Sequence, residues 1–305
     1  MRNHWLSSTH LLALCAVASL GAACTRDDGV TSNFDGRVGV SLGDFDDVSA
    51  PLKRMDAAHR DFEGLISVAT WDDSFEPANL DLKVEDLFLG DNGQGQLSAH
   101  AAVFIGSGTR GFGARQYNSL DADDQLVQDE RTQDNTQRFV NRGGPLLVTD
   151  WAYELVDTIW PEQMTFLVAD PRLVGDSWTD LDAAQVGRIG SVTASVVDAD
   201  LAEYLGSDTL ALDYPYSNFT VLESVGDDVT VHLRGDVSYR LDELSEPVDI
   251  ADVPLLVSFR PEGERGGTVI YSTFHVDAQS PALMDELLHY FFGDFEVENG
   301  DAVIE

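Results

Sequence analysis

The chain has 305 residues, of which 54 are acidic and 18 basic, for a formal charge of −36, and 43% are hydrophobic. That apolar fraction supports a folded core and is too high for a chain disordered by charge. The charge excludes nucleic acid as a partner, since phosphate binding needs clustered Lys and Arg, and it disfavours docking of the folded part on anionic lipid.

Arg2 and His4 precede a mostly apolar run from Leu11 to Leu20, followed by Gly21, Ala22, Ala23 and Cys24. A charged start, a short apolar stretch and small residues predict a secretory signal peptide over 1–23. The run is shorter than the roughly 20 apolar residues of a membrane span. Leu20 to Cys24 resembles a bacterial lipobox, in which the cysteine after the cleavage point is lipidated, although the usual leucine position holds Gly21. The resemblance implies an exported envelope lipoprotein attached through Cys24. Thr25 and Arg26 follow in place of an acidic residue, which points to the outer membrane. An ordinary signal cut near Ala23 is the alternative and would leave a periplasmic or secreted protein. Cys15 lies inside the removable segment, so the mature domain has no internal cysteine and hence no disulfide, thiolate metal site or cysteine nucleophile. Residues 24–36 are polar and read as a tether.

Further along, Arg37–Leu42 is a strand candidate, and a helix follows from Val48 to about Arg60 with Pro51 in its first turn. Leu65–Ala69, Ala101–Ile105 and Leu146–Thr149 are short, continuously apolar runs. Such runs mark a parallel sheet covered on both faces. Between the last two lies a polar stretch, Asp121 to Arg142, with a surface helix ending at Gly143-Gly144. Asp150 and Trp151 open a helix to about Trp160. Val192–Val197 and Thr209–Leu212 predict strands around a short helix begun by Asp198. Val229–Leu233 and Val237–Leu241 alternate around Arg234-Gly235-Asp236, the pattern of a hairpin with one wet face. Leu255–Phe259 and Thr268–Phe274 are late strands. Ser280-Pro281 starts a final helix with Leu283, Met284, Leu287, Leu288, Phe291 and Phe292 at helical spacing. Residues 296–305 read as an acidic tail. The whole predicts one α/β domain over 37–295, mostly parallel and three-layered, with an inserted or appended antiparallel hairpin region.

Phe104–Gly108 (FIGSG), Phe139–Asp150 (FVNRGGPLLVTD) and Gly266–His275 (GGTVIYSTFH) follow one another in an order that resembles the class I glutamine amidotransferase-like fold, a flavodoxin-like sheet. Active members carry a cysteine nucleophile on a tight strand-to-helix turn and a later His-x-Glu pair. Here Thr149-Asp150-Trp151 occupies the corresponding turn, and only His275-Val276-Asp277 keeps the second spacing. Glutamine hydrolysis by the usual route is therefore not expected.

The candidate site residues sit where strands should end, which is where open α/β sheets bind ligands. His275 could be a base oriented by Asp277, acting on Ser107, Thr149 or water. The alternative is that His275 is a satisfied buried residue, with Asp277 and Ser280 capping the next helix. Asp150 and Trp151 could form a ligand floor, or Asp150 could cap its helix with Trp151 in the core. Asp150 with His275 could also hold a divalent metal. Acidic clusters at Asp44/Asp46/Asp47, Asp121/Asp123/Asp124 and Asp198/Asp200 lack the spacing of a calcium loop and read as solvated surface. No cofactor motif is present. The leading expectation is a non-catalytic binding or assembly module facing an envelope protein or a small ligand. A hydrolase and a metal-binding domain are the rivals.

Overall fold

A computed structural model of the chain describes residues 37–43, 46–58, 67–72, 83–90, 93, 95–109, 112, 126–167, 186–216, 219–240, 246–292, 295–298 and 301–304. The chain divides into two units, Met1–Ser32 and Asn33–Glu305, and every described residue belongs to the second. The signal segment, Cys24, the tether, Asp44 and the cluster at Asp121/Asp123/Asp124 lie outside the described residues.

In chain order the strands are β1 Arg37–Leu42, β2 Ser67–Asp72, β3 Ala102–Ile105, β4 Leu146–Thr149, β5 Met164–Phe166, β6 Val186–Gly187 and β7 Gly190–Val196. They continue as β8 Thr209–Tyr214, β9 Leu222–Val225, β10 Thr230–Arg240, β11 Val248–Phe259, β12 Val269–Ser272, β13 Phe295–Glu298 and β14 Asp301–Ile304. The helices are α1 Ser49–Ala58, α2 Val84–Phe88, α3 Glu130–Asn141, α4 Tyr153–Ile159, α5 Ala199–Leu205 and α6 Pro281–Phe292.

Among the described residues, ten strands form one sheet ordered β2-β1-β3-β4-β12-β11-β10-β7-β8, with β6 beside β10. From β2 to β12 every pair is parallel, and the order is the 2-1-3-4-5 of flavodoxin-like sheets. From β12 to β8 every pair is antiparallel. The antiparallel region thus continues the parallel sheet.

Side chains alternate across the sheet. Val103, Ile105, Leu146, Val148, Val269 and Tyr271 bury one face against α2, α3 and α4. Ala102, Phe104, Leu147 and Ile270 bury the other against α1, α5 and α6. Both faces are covered, which is why β3 and β4 are buried at every position. The α/β, three-layer reading of the sequence is the observed architecture.

Local signals place several elements. Asp129 caps α3, its carboxylate accepting from Arg131 N at 2.8 Å, and Gly143 ends the helix at φ 99°. Asp198 caps α5 in the same way through Asp200 N at 3.0 Å. In α6 the residues Leu283, Met284, Leu287, Leu288 and Phe292 face the core.

One expectation is overturned. Arg234-Gly235-Asp236 is not a hairpin turn, because β10 runs through it as a single strand of 11 residues. Its partner is β11, and the register shifts between Gly235 and Val237. The charges flanking Gly235 are satisfied across the ladder: Arg234 Nη1 donates to Asp252 O at 2.8 Å, and Asp252 N donates to Asp236 Oδ1 at 2.9 Å. The irregular pairing at Gly235 is a bulge. The segment read as an acidic tail holds β13 and β14, which pair antiparallel.

Candidate functional site

The parallel strands β1, β3, β4 and β12 deliver Asp46, Ser107, Thr149–Asp150 and His275 to one carboxyl edge of the sheet. Close backbone approach assembles that edge. A Cβ on Gly43 would stand 1.8 Å from Ser107 O, so the β1 and β3 turns meet only with glycine there.

Asp150 is the centre. It follows β4 directly and has φ 41°, a left-handed conformation that a residue with a Cβ adopts at a cost of about 1–2 kcal/mol. It is fully buried. Oδ1 accepts from Thr220 N at 2.7 Å and from Thr220 Oγ1 at 3.2 Å. Oδ2 meets His275 Nε2 at 2.9 Å and accepts from Ser107 Oγ at 3.3 Å. Its own carbonyl accepts from Tyr271 OH at 2.9 Å, and that hydroxyl also bonds Thr220 Oγ1. The surroundings therefore over-determine the strained turn. Asp150 does not cap α4; its carboxylate reaches across to the loop before β9.

His275 Nε2 also stands 3.1 Å from Ser107 Oγ. The one ring nitrogen thus faces both the Asp150 carboxylate and the Ser107 hydroxyl, and the Ser107 hydroxyl donates to that same carboxylate oxygen. Ser107 Oγ also accepts from Trp151 N at 3.4 Å. Burial pulls the His275 pKa down, but the Asp150 hydrogen bond and charge, with Asp46 and Asp277 behind them, outweigh it and hold it above its ordinary value. Gln279 fixes the His275 backbone, donating to its carbonyl at 2.9 Å. The Tyr216 ring, half exposed, lies over the imidazole with centroids 5.1 Å apart.

A second acid completes the edge. Asp46 is 2% exposed and accepts from Thr149 Oγ1 at 2.7 Å, Val276 N at 3.1 Å and Asp277 N at 3.0 Å. Burial pushes its carboxyl up to about 7 despite the nearby His275 charge. Thr149 Oγ1, donating to Asp46, accepts in turn from Ser107 N at 2.8 Å.

The structure thus brings Ser107, Thr149, Asp150 and His275 together. It does not set Asp277 on the imidazole. Asp277 is exposed, and its carboxylate accepts from Asp47 N at 3.3 Å. The spacing His-x-acid places the acid on the far side of the turn, and the carboxylate that meets the ring belongs to Asp150. Trp151 is buried at 3% exposure and so lies in the core. Sequence reasoning missed Asp46, read as surface, and Thr220 and Tyr271, which it did not single out as site residues. Only the position of Asp46 just beyond a strand end could have flagged it. Among the described residues, no group of three or more His, Cys, Asp or Glu side chains could hold a metal ion. No described helix is long and apolar enough to cross a membrane.

No family model matches the sequence, and no curated protein does. Solved structures similar to the chain include the N-terminal domain of mmIFT52, with a TM-score of 0.49 at 11% identity, covering 86% of this chain and 100% of that one. A protein described as ThuA-like from Bacteroides uniformis gives 0.48 at 10% identity, covering 84% and 89%. A glutamine amidotransferase from Thermotoga maritima gives 0.41 at 10% identity, covering 85% and 83%. Side chains are not comparable at such identities, so the chemistry rests on this chain's own residues.

Proposed function

We propose that the chain is an exported envelope lipoprotein, anchored through Cys24, whose amidotransferase-like domain binds or assembles and does not catalyse. The observation that carries the non-catalytic reading is Asp150. It occupies the strained turn where the resemblance calls for a thiol, it is fully buried, and both its carboxylate oxygens are bonded within the protein. A group so committed is a structural pivot: it ties β4, the loop before β9 and the turn after β12 together. The anchor is supported by Arg2, the apolar run to Leu20 and the small residues before Cys24.

A hydrolase has one observation in its favour, the 3.1 Å between His275 Nε2 and Ser107 Oγ. Against it, that same nitrogen is closer to Asp150 Oδ2, at 2.9 Å, and the Ser107 hydroxyl donates to Asp150 Oδ2 and not to the ring, whereas a base must accept the nucleophile's proton. Ser107 is itself fully buried.

Two measurements test the proposal. Intact mass of the processed protein should give a lipid-modified N-terminal Cys24; an unmodified Cys24 or a mature terminus elsewhere rejects the anchor. Purified domain offered glutamine and small esters should give no turnover that Ser107→Ala removes. Turnover lost in that variant would overturn the non-catalytic reading.

A further inference from the structure

Away from the carboxyl edge, a cavity of about 150 Å3 opens between α3 and the 3-10 turn Leu97–Ala99. It is lined by Leu97, Ser98, Asn135, Arg138, Phe139 and Arg142. Positions 135, 138, 139 and 142 are spaced i, i+3, i+4 and i+7, so α3 and its C-cap residue Arg142 present them on one side. Buried Leu97 and Phe139 make the floor, and exposed Ser98, Arg138 and Arg142 make the rim.

The chain has three acids for every base, and three described arginines meet one: Arg54 meets Asp285, Arg131 meets Asp129 and Arg234 meets Asp252. Neither Arg138 nor Arg142 has such a partner among the described residues, and no described carboxylate lines the cavity. Arg188, Arg260 and Arg265 likewise meet no described acid, but Arg138 and Arg142 are two such arginines that share one cavity. Arg138 is held in place. Its Nη1 donates to Asn135 Oδ1 at 3.1 Å, while Asn135, 5% exposed, anchors itself through Nδ2 to Phe88 O at 2.7 Å and Gly93 O at 3.2 Å. A buried amide therefore fixes one guanidinium at the cavity rim through one of its donors, and the second guanidinium lies one turn on.

We propose that this cavity binds the oxyanion group, phosphate or carboxylate, of a small ligand between Arg138 and Arg142, with Ser98 as a further donor. Guanidinium forks match such groups in paired, charge-assisted hydrogen bonds. The cavity volume fits one such group with a short body. A large acidic partner is disfavoured, because the formal charge of −36 repels it before contact. This assignment stands independently of the non-catalytic reading of Asp150.

The test is a thermal-shift and calorimetric titration at fixed ionic strength with inorganic phosphate in one arm and acetate in the other. Wild-type protein should bind at least one of them saturably, and the arm that saturates identifies the oxyanion. Arg142→Gln and the double variant Arg138→Gln with Arg142→Gln should weaken that binding by roughly tenfold or more. Arg142→Lys, which keeps the charge and loses the fork, should fall between wild type and Arg142→Gln. These side chains are exposed, and an unchanged circular dichroism spectrum and melting temperature without ligand will confirm that the variants fold. No saturation in either arm, or equal affinity in wild type and the double variant, overturns the proposal.

Discussion

At the scale of single residues, the carboxyl edge holds two acids in opposite electrostatic settings. Asp150 has a histidine against it, and Asp46 has backbone N–H groups and a threonine. Asp46 has a consequence for pH. Its folded pKa, about 7, lies above the unfolded value near 3.8. A carboxyl raised in this way stabilises the fold while protonated, and that contribution drains away as pH rises from about 4 through 7. His275 acts in the same direction: its pKa is raised in the fold, so its contribution is complete below the unfolded value of about 6.5 and is lost as pH climbs through the folded one. Stability measured by urea unfolding should therefore decline between pH 5 and 8. Asp46→Asn keeps the shape and an acceptor oxygen but cannot titrate. Its stability should be flatter across that range, and a slope equal to wild type would show that Asp46 is not the titrating group.

At the scale of elements, β8 is the outer strand on the antiparallel side, where an open ladder invites pairing with another chain. Val196 N bonds Asp208 O, and given the register of β7 with β8 this turns the backbone of Thr209, Ala211 and Asp213 outward. Two of these three positions are plugged by side chains. Gln279 accepts from Asp213 N and donates to Asp213 O, both at 2.8 Å, and Ser207 does the same for Thr209 at 3.3 and 2.7 Å. Gln279→Ala should unplug the edge, lower stability by about 1–2 kcal/mol and give concentration-dependent association in light scattering. A variant that stays monomeric at every concentration would show that the plug does not guard the edge. The elements that could be read from sequence are those with local causes. β3 and β4 are short runs without polar interruption, α5 begins at its capping Asp198, and α6 carries its apolar stripe. Readings failed where the cause is distant in sequence. β10 crosses a Gly between two charges because Asp252, on another strand, satisfies both. Asp46 reads as solvated surface because its burial depends on β12 turns more than two hundred residues away. His275 was found, but Asp277 beside it in sequence was a poorer guide to its partner than Asp150, brought in by the sheet.

At the scale of the whole molecule, the formal charge of −36 governs how the fold responds to its solvent. Compaction brings like charges closer than they are in the unfolded chain, so repulsion among them opposes folding. Attractive pairs do little to offset it. Of the described arginine pairs, Arg131 with Asp129 and Arg234 with Asp252 are largely exposed and Arg54 with Asp285 is half-buried, and two of the three are loose, Arg54 with Asp285 and Arg234 with Asp252 each at 3.7 Å; loose or exposed pairs contribute little and are themselves screened by salt. Screening therefore removes far more repulsion than attraction. The Debye length falls from about 10 Å at 0.1 M to about 3 Å at 1 M ionic strength, which is shorter than the separation of most surface carboxylates. The melting temperature should accordingly rise across a sodium chloride titration, steeply at first and then levelling as the screening length drops below the charge spacing. Potassium chloride should trace the same curve, because the effect depends on ionic strength and not on a bound ion. A melting temperature that falls with salt would mean that the few ion pairs outweigh the excess of acid, and a difference between the two salts would point to a site for one cation.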